Sequence, residues 1–257
     1  MREWLLVTMV TIVVGSTVSV RTAHAAEADA TDTNRLRHRP ALQRSGSDVP
    51  HARAGANRPG SQQDRRPIFS DSFDRADGAL GLPWTKTAST WGVRSSRAQL
   101  LSGIYASTTA TATVDVGTTN VTVAADITLS SRRQRANAGL TTAFVDYRNN
   151  LYCKIEVTVV NPHGLMSIGR KLNGTTTSRL VAATRTGFVN GGAYHVVCVR
   201  AGSTITMTVG ARTITYTLTA ADLAVFGSTT KVGLRAHLAS DEDDGGSRYD
   251  NFKVTSP

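Results

Sequence analysis

The sequence has few cysteines, few aromatic side chains and little charge for its length. Its 257 residues include two cysteines, three tryptophans, six tyrosines and six phenylalanines. Two cysteines exclude a disulfide-dense mini-protein and a cysteine-based zinc module. Charged residues at 19% and aromatic residues at 6% argue against a coiled coil and against a wholly disordered chain. The length allows one large all-β domain or two ordinary domains.

The first segment has the pattern of a secretory signal peptide. Arg2 precedes an apolar run that continues to Val14, and Ala23-His24-Ala25 places alanine at both small positions before a cleavage site. Polar residues interrupt the run before it reaches the roughly 20 residues of a membrane span. We predict residues 1–26 to be a signal peptide that exports the chain, with an uncleaved anchor as the alternative. After cleavage we expect no stable membrane span, and a secreted, extracellular or cell-surface location.

Residues 27–66 form a hydrophilic segment. Eight arginines and five acidic residues give it a net charge of +3, and its large apolar residues are Leu36, Leu42 and Val49. Because it cannot bury enough apolar surface to offset the entropy of ordering, we expect a disordered basic linker. It either attaches to an anionic surface or acts as a solvated spacer. Arginines scattered this thinly in an exported chain do not indicate nucleic-acid binding.

From residue 67 onward the hydrophobic pattern has the period of two that is typical of β-strands. Apolar and polar residues alternate over 121–129, 204–209 and 213–218, with threonine at many of the polar positions. Asn173-Gly174 is typical of a two-residue hairpin turn. About thirteen strands and one helical turn at 220–225, capped by Thr219, predict an all-β, two-sheet antiparallel jelly-roll sandwich over residues 67–257.

The two cysteines, Cys153 and Cys198, lie in the middle of predicted strands. In an exported protein they favour a disulfide with each other. Since mid-strand positions do not guarantee the required geometry, two buried free thiols are the alternative.

Short motifs stand at both ends of the predicted domain. It opens with Ile68-Phe69-Ser70-Asp71-Ser72-Phe73 and Trp91-Gly92-Val93, and it closes with Lys231-Val232-Gly233-Leu234 and Tyr249-Asp250-Asn251-Phe252. Together they resemble the concanavalin A-like lectin/glucanase (laminin G-like) superfamily over residues 68–254, without indicating a subfamily. The resemblance implies two curved antiparallel sheets, adjacent first and last strands, and a concave sheet that is open to ligand.

The resemblance also implies a structural calcium ion where the first and last strands meet. Asp250 matches the family's aspartate on the last strand, and Asp71 and Asp77 are the nearest candidates on the opening segment. Calcium takes six to eight oxygen ligands, which carboxylates and carbonyls supply. The alternative is that these aspartates bond local amides at strand ends. The acidic loop 241–246 is either a second calcium candidate or a solvated loop.

The sequence lacks the paired carboxylates that the glucanase mechanism requires. Retaining glycosidases need two carboxyl groups about 5–5.5 Å apart, and glucanases of this fold place them on one strand as two glutamates with an aspartate between. Residues 67–257 contain two glutamates: Glu156 has no carboxylate two or four residues away, and Glu242 lies in the acidic loop. We therefore assign no catalytic residue and lean towards a protein that is not an enzyme.

Binding is the better-supported class of function. Tyr152, Lys154 and Glu156 stand opposite an apolar strand face, as do Arg235 and His237. If these side chains line the concave sheet, they form a polar groove with one aromatic platform, suited to a polysaccharide or cell-surface glycan. The alternative is that they are solvent faces of ordinary strands.

We expect a secreted carbohydrate-binding or adhesion module. The alternatives are a divergent polysaccharide hydrolase or lyase that uses Glu156, His237 and Tyr152, and a structural cell-envelope protein without a small ligand. The glycan and the oligomeric state are not specified by the sequence.

Overall fold

The computed structural model describes residues 67–87, 89–103, 109–131, 135–237 and 246–257, and these contain sixteen strands and one helix. The strands are β1 (Phe69–Asp71), β2 (Gly78–Ala79), β3 (Thr85–Thr87), β4 (Ser89–Arg94), β5 (Arg97–Gly103), β6 (Thr109–Asp115), β7 (Val121–Thr128), β8 (Arg135–Asp146), β9 (Asn149–Thr158), β10 (Asn161–Leu172), β11 (Thr175–Thr184), β12 (Ala193–Ala201), β13 (Thr204–Val209), β14 (Arg212–Thr217), β15 (Lys231–His237) and β16 (Arg248–Thr255). The helix is α1 (Ala220–Phe226). The predicted signal peptide (1–26), the predicted linker (27–66) and residues 241–245 of the acidic loop lie outside the described residues.

The strands form two antiparallel sheets. The nine-stranded sheet has the order β14-β13-β12-β7-β16-β5-β4-β2, with β1 also paired to β16. The seven-stranded sheet has the order β11-β10-β9-β8-β15-β6-β3. Phe69 of β1 lies opposite Val254 of β16, so the first and last described strands are neighbours. The all-β, two-sheet antiparallel sandwich predicted from the sequence is therefore confirmed.

Alternating residues fill the space between the sheets. Along β7, Val121, Val123, Ala125 and Ile127 are buried, and the residues between them are half-buried. This is the pattern of a strand with one face on the core. Asn173 and Gly174 both have positive φ, 51° and 85°, as a type I′ hairpin turn between β10 and β11 requires.

Aromatic side chains pack in the core where the first strands of the sandwich meet the last strand, β16. The Trp84 ring lies 5.1 Å from Phe252 and 5.6 Å from Phe69, which ties β1 to β16. Trp91 is fully buried, 5.7 Å from Tyr249. Neither Trp84 nor Trp91 offers an exposed surface on which a ligand could stack.

A disulfide links the two sheets through the core. Cys153 of β9 is bonded to Cys198 of β12, with a Cα–Cα distance of 6.3 Å, which confirms the predicted pairing. The bond closes a loop of 45 residues. In the chain-entropy account such a loop stabilises the fold by about 4 kcal/mol.

The helix α1 is held by ionised groups from both sheets. Thr219 caps it, as the sequence predicted, and the structure adds a capping box with Asp222. The helix extends one residue beyond the expected end. The buried Asp222 carboxylate accepts hydrogen bonds from Arg170 of β10 and Tyr216 of β14. At the other end of α1, buried Arg200 donates to the carbonyl of Phe226 at 2.6 Å.

Among the described residues there is no helix long and apolar enough to cross a membrane.

Candidate functional site

The outer face of the seven-stranded sheet carries a cluster of polar side chains that are almost completely buried. We call this cluster the polar face. Its members lie on β6, β8, β9 and β15 and are Thr111, Asn137, Thr141, Tyr152, Lys154, Glu156 and Arg235. Asn137 is half-buried, and the other six are between 0% and 5% exposed. Polar strand residues that point away from the core are ordinarily in contact with water, so their burial is the feature to be explained.

The register of β8 brings these residues together from distant parts of the chain. Gly139 lies opposite Lys154 on β9 and opposite Arg235 on β15. Thr141, two residues further on, lies opposite Tyr152. Because side chains two residues apart share one face of a strand, all of these positions open onto the same surface.

Two glycines lie in the sheet where neighbouring atoms approach too closely for a Cβ atom. At Gly169, a Cβ atom would lie 2.6 Å from the Tyr152 ring, so the ring occupies the space above this residue of β10. At Gly139, a Cβ atom would lie 2.1 Å from the backbone oxygen of Cys153. Neither position accepts a side chain without movement of its neighbours. Gly169 therefore leaves space for the Tyr152 ring, and Gly139 allows the close approach of β8 and β9.

Arg235 covers the other side of the Tyr152 ring. Its Cζ atom lies 4.0 Å from the ring centroid, within the range of a cation–π contact. The guanidinium also donates to Asn137 Oδ1 at 2.9 Å and to Thr109 Oγ1 at 3.2 Å. The Tyr152 ring therefore lies between Arg235 and Gly169 and is not the open aromatic platform expected from the sequence. Burial raises the pKa of the Tyr152 hydroxyl above its usual range.

Glu156 is the carboxylate of the polar face, and three side chains donate to it. Lys154 Nζ lies 2.5 Å from Oε2, Arg179 of β11 lies 3.2 Å from Oε1, and Asn137 donates at 3.3 Å. Burial lowers the pKa of Lys154, and nearby Arg235 and Arg179 add to this effect, while Glu156 opposes it. Glu156 is thus a buried ion-pair partner, and the alternative of a solvated strand residue is wrong.

Four polar atoms of the polar face have no hydrogen-bond partner among the residues that the structure describes. They are Thr111 Oγ1, Thr141 Oγ1, Tyr152 Oη and Arg235 Nε. A buried polar group without a partner costs about 1–3 kcal/mol of stability. Such groups are normally satisfied by ordered water, by an ion or by a ligand.

The structure brings together four of the five groove residues predicted from the sequence: Tyr152, Lys154, Glu156 and Arg235. His237 lies half-buried at the end of β15, opposite Asn137 of β8.

The sequence reasoning missed Asn137, Thr141 and Arg179. Asn137 and Thr141 alternate with buried Ala138 and Leu140, and this period of two was a signal that could have identified them. Arg179 carries no comparable signal, because only the pairing of β10 with β11 brings it near Glu156.

Asp71, the first of the calcium candidates, already has its oxygens occupied. Both oxygens accept from Arg75, at 2.7 and 3.1 Å, and the carboxylate also accepts from the Trp84 indole at 2.8 Å and from the Phe73 amide at 2.8 Å. Burial alone would raise the pKa of Asp71, but these hydrogen bonds outweigh it and lower the pKa.

The other two calcium candidates have separate partners. Asp77 accepts from the Ser95 amide at 2.7 Å and lies 3.6 Å from Arg94. Asp250 accepts from the Asn251 amide and lies 3.8 Å from Arg97. The described residues contain no group of three or more His, Cys, Asp or Glu side chains that could hold a metal. Calcium binding at Asp71, Asp77 and Asp250 stays a prediction.

No protein-family model matches this sequence, and no curated protein matches it. Solved structures do resemble the fold. Carbohydrate-binding module CBM66 from Bacillus subtilis is similar, with 15% identity, a TM-score of 0.50, and coverage of 67% of this chain and 95% of that one. The GH43 protein BlXynB from Bacillus licheniformis is similar with 15% identity and a TM-score of 0.53 over 73% of this chain. This chain matches 39% of the length of BlXynB.

A third similar structure belongs to work on endo-acting O-glycanases that members of the human gut microbiota express to initiate mucin breakdown. It shares 9% identity and a TM-score of 0.53, over 75% of this chain and all of that one. Likeness at these identities concerns the fold. The chain has the concanavalin A-like jelly-roll sandwich that the motifs at its two ends resemble.

Proposed function

We propose that this protein is a secreted carbohydrate-binding module and that its ligand binds at the polar face. The observation that carries the proposal is a set of buried polar atoms on the outer face of the seven-stranded sheet, which have no partner within the described part of the chain. Sugar hydroxyls are both donors and acceptors, so a glycan can satisfy Tyr152 Oη and Thr141 Oγ1 once Arg235, which covers the Tyr152 ring, moves aside. The similar structures support this class of function, since one is a carbohydrate-binding module and another accompanies O-glycanases.

Export is supported by the sequence and by the cross-link. Residues 1–26 have the pattern of a signal peptide. Disulfides such as the one between Cys153 and Cys198 form and persist in oxidising compartments, so this bond supports export. We propose that the basic segment 27–66 tethers or spaces the sandwich from the cell surface.

A catalytic role receives less support from the polar face. Within it Glu156 is the one carboxylate, and Lys154, Arg179 and Asn137 already donate to it. A retaining glycosidase needs a second carboxyl group about 5–5.5 Å away. Binding without turnover is therefore the function that this arrangement favours.

The test is binding of the full chain to a glycan array, measured once with calcium and once with EDTA. We expect binding to a defined set of glycans. Tyr152→Phe should weaken it, because the substitution removes one unpartnered hydroxyl and keeps the ring under Arg235. Tyr147→Phe is the matched control, since Tyr147 is exposed in the turn between β8 and β9.

Each outcome has a distinct meaning. Binding that is lost in Tyr152→Phe and kept in Tyr147→Phe supports the polar face. Equal binding by both variants would mean that the ligand binds elsewhere on the molecule. Loss of binding in EDTA would support the calcium prediction, whereas binding that survives EDTA removes calcium from the mechanism. If the chain binds no glycan in either buffer, the proposed function is contradicted.

A further inference from the structure

The polar face contains more positive than negative charge. Lys154, Arg179 and Arg235 are the cations that act on this region, and Glu156 is the carboxylate that faces them. Arg179 is partly exposed to solvent, whereas Lys154 and Arg235 are buried. One buried carboxylate therefore faces two buried cations, and one buried positive charge is left without a counter-charge among these groups. Charges buried without compensation are costly, and proteins normally pair them.

From this imbalance, together with the unpartnered donors, we infer that the ligand of the polar face is an anionic glycan, bound through its carboxylate or sulfate groups. The inference rests on the proposed function and specifies the substrate class of the same site. It does not follow from the overall positive charge of the chain, because it depends on buried groups in one defined place.

The available donors suit an anion better than a neutral sugar. Arg235 uses its two terminal nitrogens for Asn137 and Thr109, which leaves Nε as an unpartnered N–H donor. Arginine has no acceptor atom, so only an acceptor on the ligand can satisfy it. Tyr152 Oη and Thr141 Oγ1 can each donate to the same kind of oxygen. Hydrogen bonds between ionised groups are about twice as strong as neutral ones.

The polar face also has a side that reaches solvent. The side chain of Arg179 is 44% exposed at the same time as it contacts the buried Glu156 carboxylate. Asn137, which contacts both Glu156 and Arg235, is half-buried. An acidic group that approaches past Arg179 meets a positive potential before it loses its water, which favours association.

The experiment compares charged glycans with their neutralised forms on the full chain. The probes are a galacturonate hexasaccharide and its methyl ester, and a heparin-derived hexasaccharide and its desulfated, carboxyl-reduced form. Calorimetry at low and at moderate salt measures each affinity. We expect at least one acidic probe to bind, at least tenfold tighter than its neutralised form. The two acidic probes distinguish a carboxylate ligand from a sulfate ligand.

Two variants separate the polar face from general charge attraction. Lys154→Met removes a buried cation, and Lys253→Met removes an exposed one from the nine-stranded sheet, so both lower the net charge by one. We expect Lys154→Met to weaken binding at least tenfold and Lys253→Met to change it less than twofold. Arg179→Gln is a second variant that is less demanding for folding, because Arg179 is partly exposed, and it should weaken binding about threefold to tenfold.

Three results would overturn the inference. The first is equal binding of the acidic and neutralised probes, and the second is an equal effect of Lys154→Met and Lys253→Met. The third is failure of both acidic probes to bind at millimolar concentration. If the glycan array shows neutral ligands that depend on Tyr152 while these probes fail, the proposed function stands and the anionic ligand is wrong. If both experiments fail, the proposed function is wrong as well.

Discussion

The outer faces of the two sheets share one sequence pattern but have different surroundings. The outer face of the nine-stranded sheet carries a row of threonines, which we call the threonine face: Thr122, Thr204, Thr206, Thr208, Thr213, Thr215 and Thr217. All are half-buried or exposed. They pair across strands, as Thr206 does with Thr215 at 3.2 Å and Thr208 with Thr213 at 3.1 Å. On the polar face, by contrast, most of the polar side chains are buried.

The difference shows that alternation of polar and apolar residues does not specify the environment of the polar side. Short threonine side chains on adjacent strands stand side by side and contact water. On the polar face the Tyr152 ring lies over Gly169, and the long polar side chains are buried. Burying charges in this way does not by itself stabilise a fold. The threonine face therefore serves solubility and strand pairing, and the polar face is the better candidate for recognition.

The largest expected effect comes from removing the buried carboxylate. Glu156→Gln leaves Lys154 and Arg179 without their counter-charge, and breaking a buried ion pair costs about 3–5 kcal/mol. The corresponding change on the other sheet is Asp126→Asn, where the partner His195 is exposed and the pair is worth less than about 1 kcal/mol. Urea unfolding of both variants measures the difference, and similar losses would contradict the contrast between the two faces.

The next effect tests the close approach of strands beneath the polar face. Gly139→Ala places a Cβ atom 2.1 Å from a backbone oxygen, and we expect a loss of about 3 kcal/mol from the forced shift. Gly78→Ala in β2 is the control, because no atom lies within 4 Å of its added Cβ. Thermal unfolding should separate the two variants clearly. A Gly139→Ala protein as stable as Gly78→Ala would show that β8 and β9 can move apart freely.

A smaller effect, of opposite sign, is expected from removing an unpartnered hydroxyl. Thr141→Val should leave the free protein unchanged or raise its stability by about 1 kcal/mol, since a buried unsatisfied group is lost. Thr206→Val removes a hydroxyl that has a partner in Thr215, so it should be neutral or slightly destabilising. If Thr141→Val is the more destabilising of the two in urea unfolding, Thr141 has a partner in the free protein.

The smallest effect is a difference in pH dependence. Burial lowers the pKa of Lys154 in the folded protein below the value of 10.5 that it has in the unfolded chain. Between these two pKa values the unfolded chain binds more protons at this group. The stability cost of burying Lys154 therefore falls as the pH rises towards 10.5. Burial acts to raise the pKa of Asp126, but hydrogen bonds from Asn251 and His195 lower it overall. The contribution of Asp126 is therefore present above pH 3.8 and is lost as the pH falls below it.

The measurement is the unfolding free energy of Lys154→Met and Asp126→Asn relative to the unsubstituted protein across the pH range. At alkaline pH, the unfolding free energy of the unsubstituted protein should rise relative to that of Lys154→Met as the pH increases. The difference for Asp126→Asn should change on the acid side. A change of the Lys154→Met difference in the reverse direction would mean that the ion pair with Glu156 outweighs burial.

The sequence predicted the features that depend on local patterns. Alternation identified the strands, Thr219 and Asp222 marked the helix, and the export pattern favoured the disulfide of Cys153 and Cys198. All of these are confirmed. Each rests on residues whose preference is decided by their near neighbours or by the cellular compartment.

The environment of the site could not be predicted in the same way. Tyr152 is buried because Arg235, 83 positions later in the chain, covers its ring, and because Gly169 leaves a space on β10. Glu156 meets Arg179 only through the order of β9, β10 and β11. Such contacts depend on strand order and register, which are properties of the folded sheet. The calcium prediction for Asp71, Asp77 and Asp250 stays a prediction for the EDTA experiment.

The position of the disulfide has a mechanical consequence. Cys153 lies between Tyr152 and Lys154 on β9, so the covalent link to β12 starts directly behind the polar face. A polymer held at that face by a moving cell or flowing liquid would pull β9 along the sheet. The disulfide would transmit this force to the opposite sheet. Non-covalent packing between the two sheets would then not be the only interaction that resists the force. The sandwich is thus built so that tension on a bound chain is shared by both of its layers.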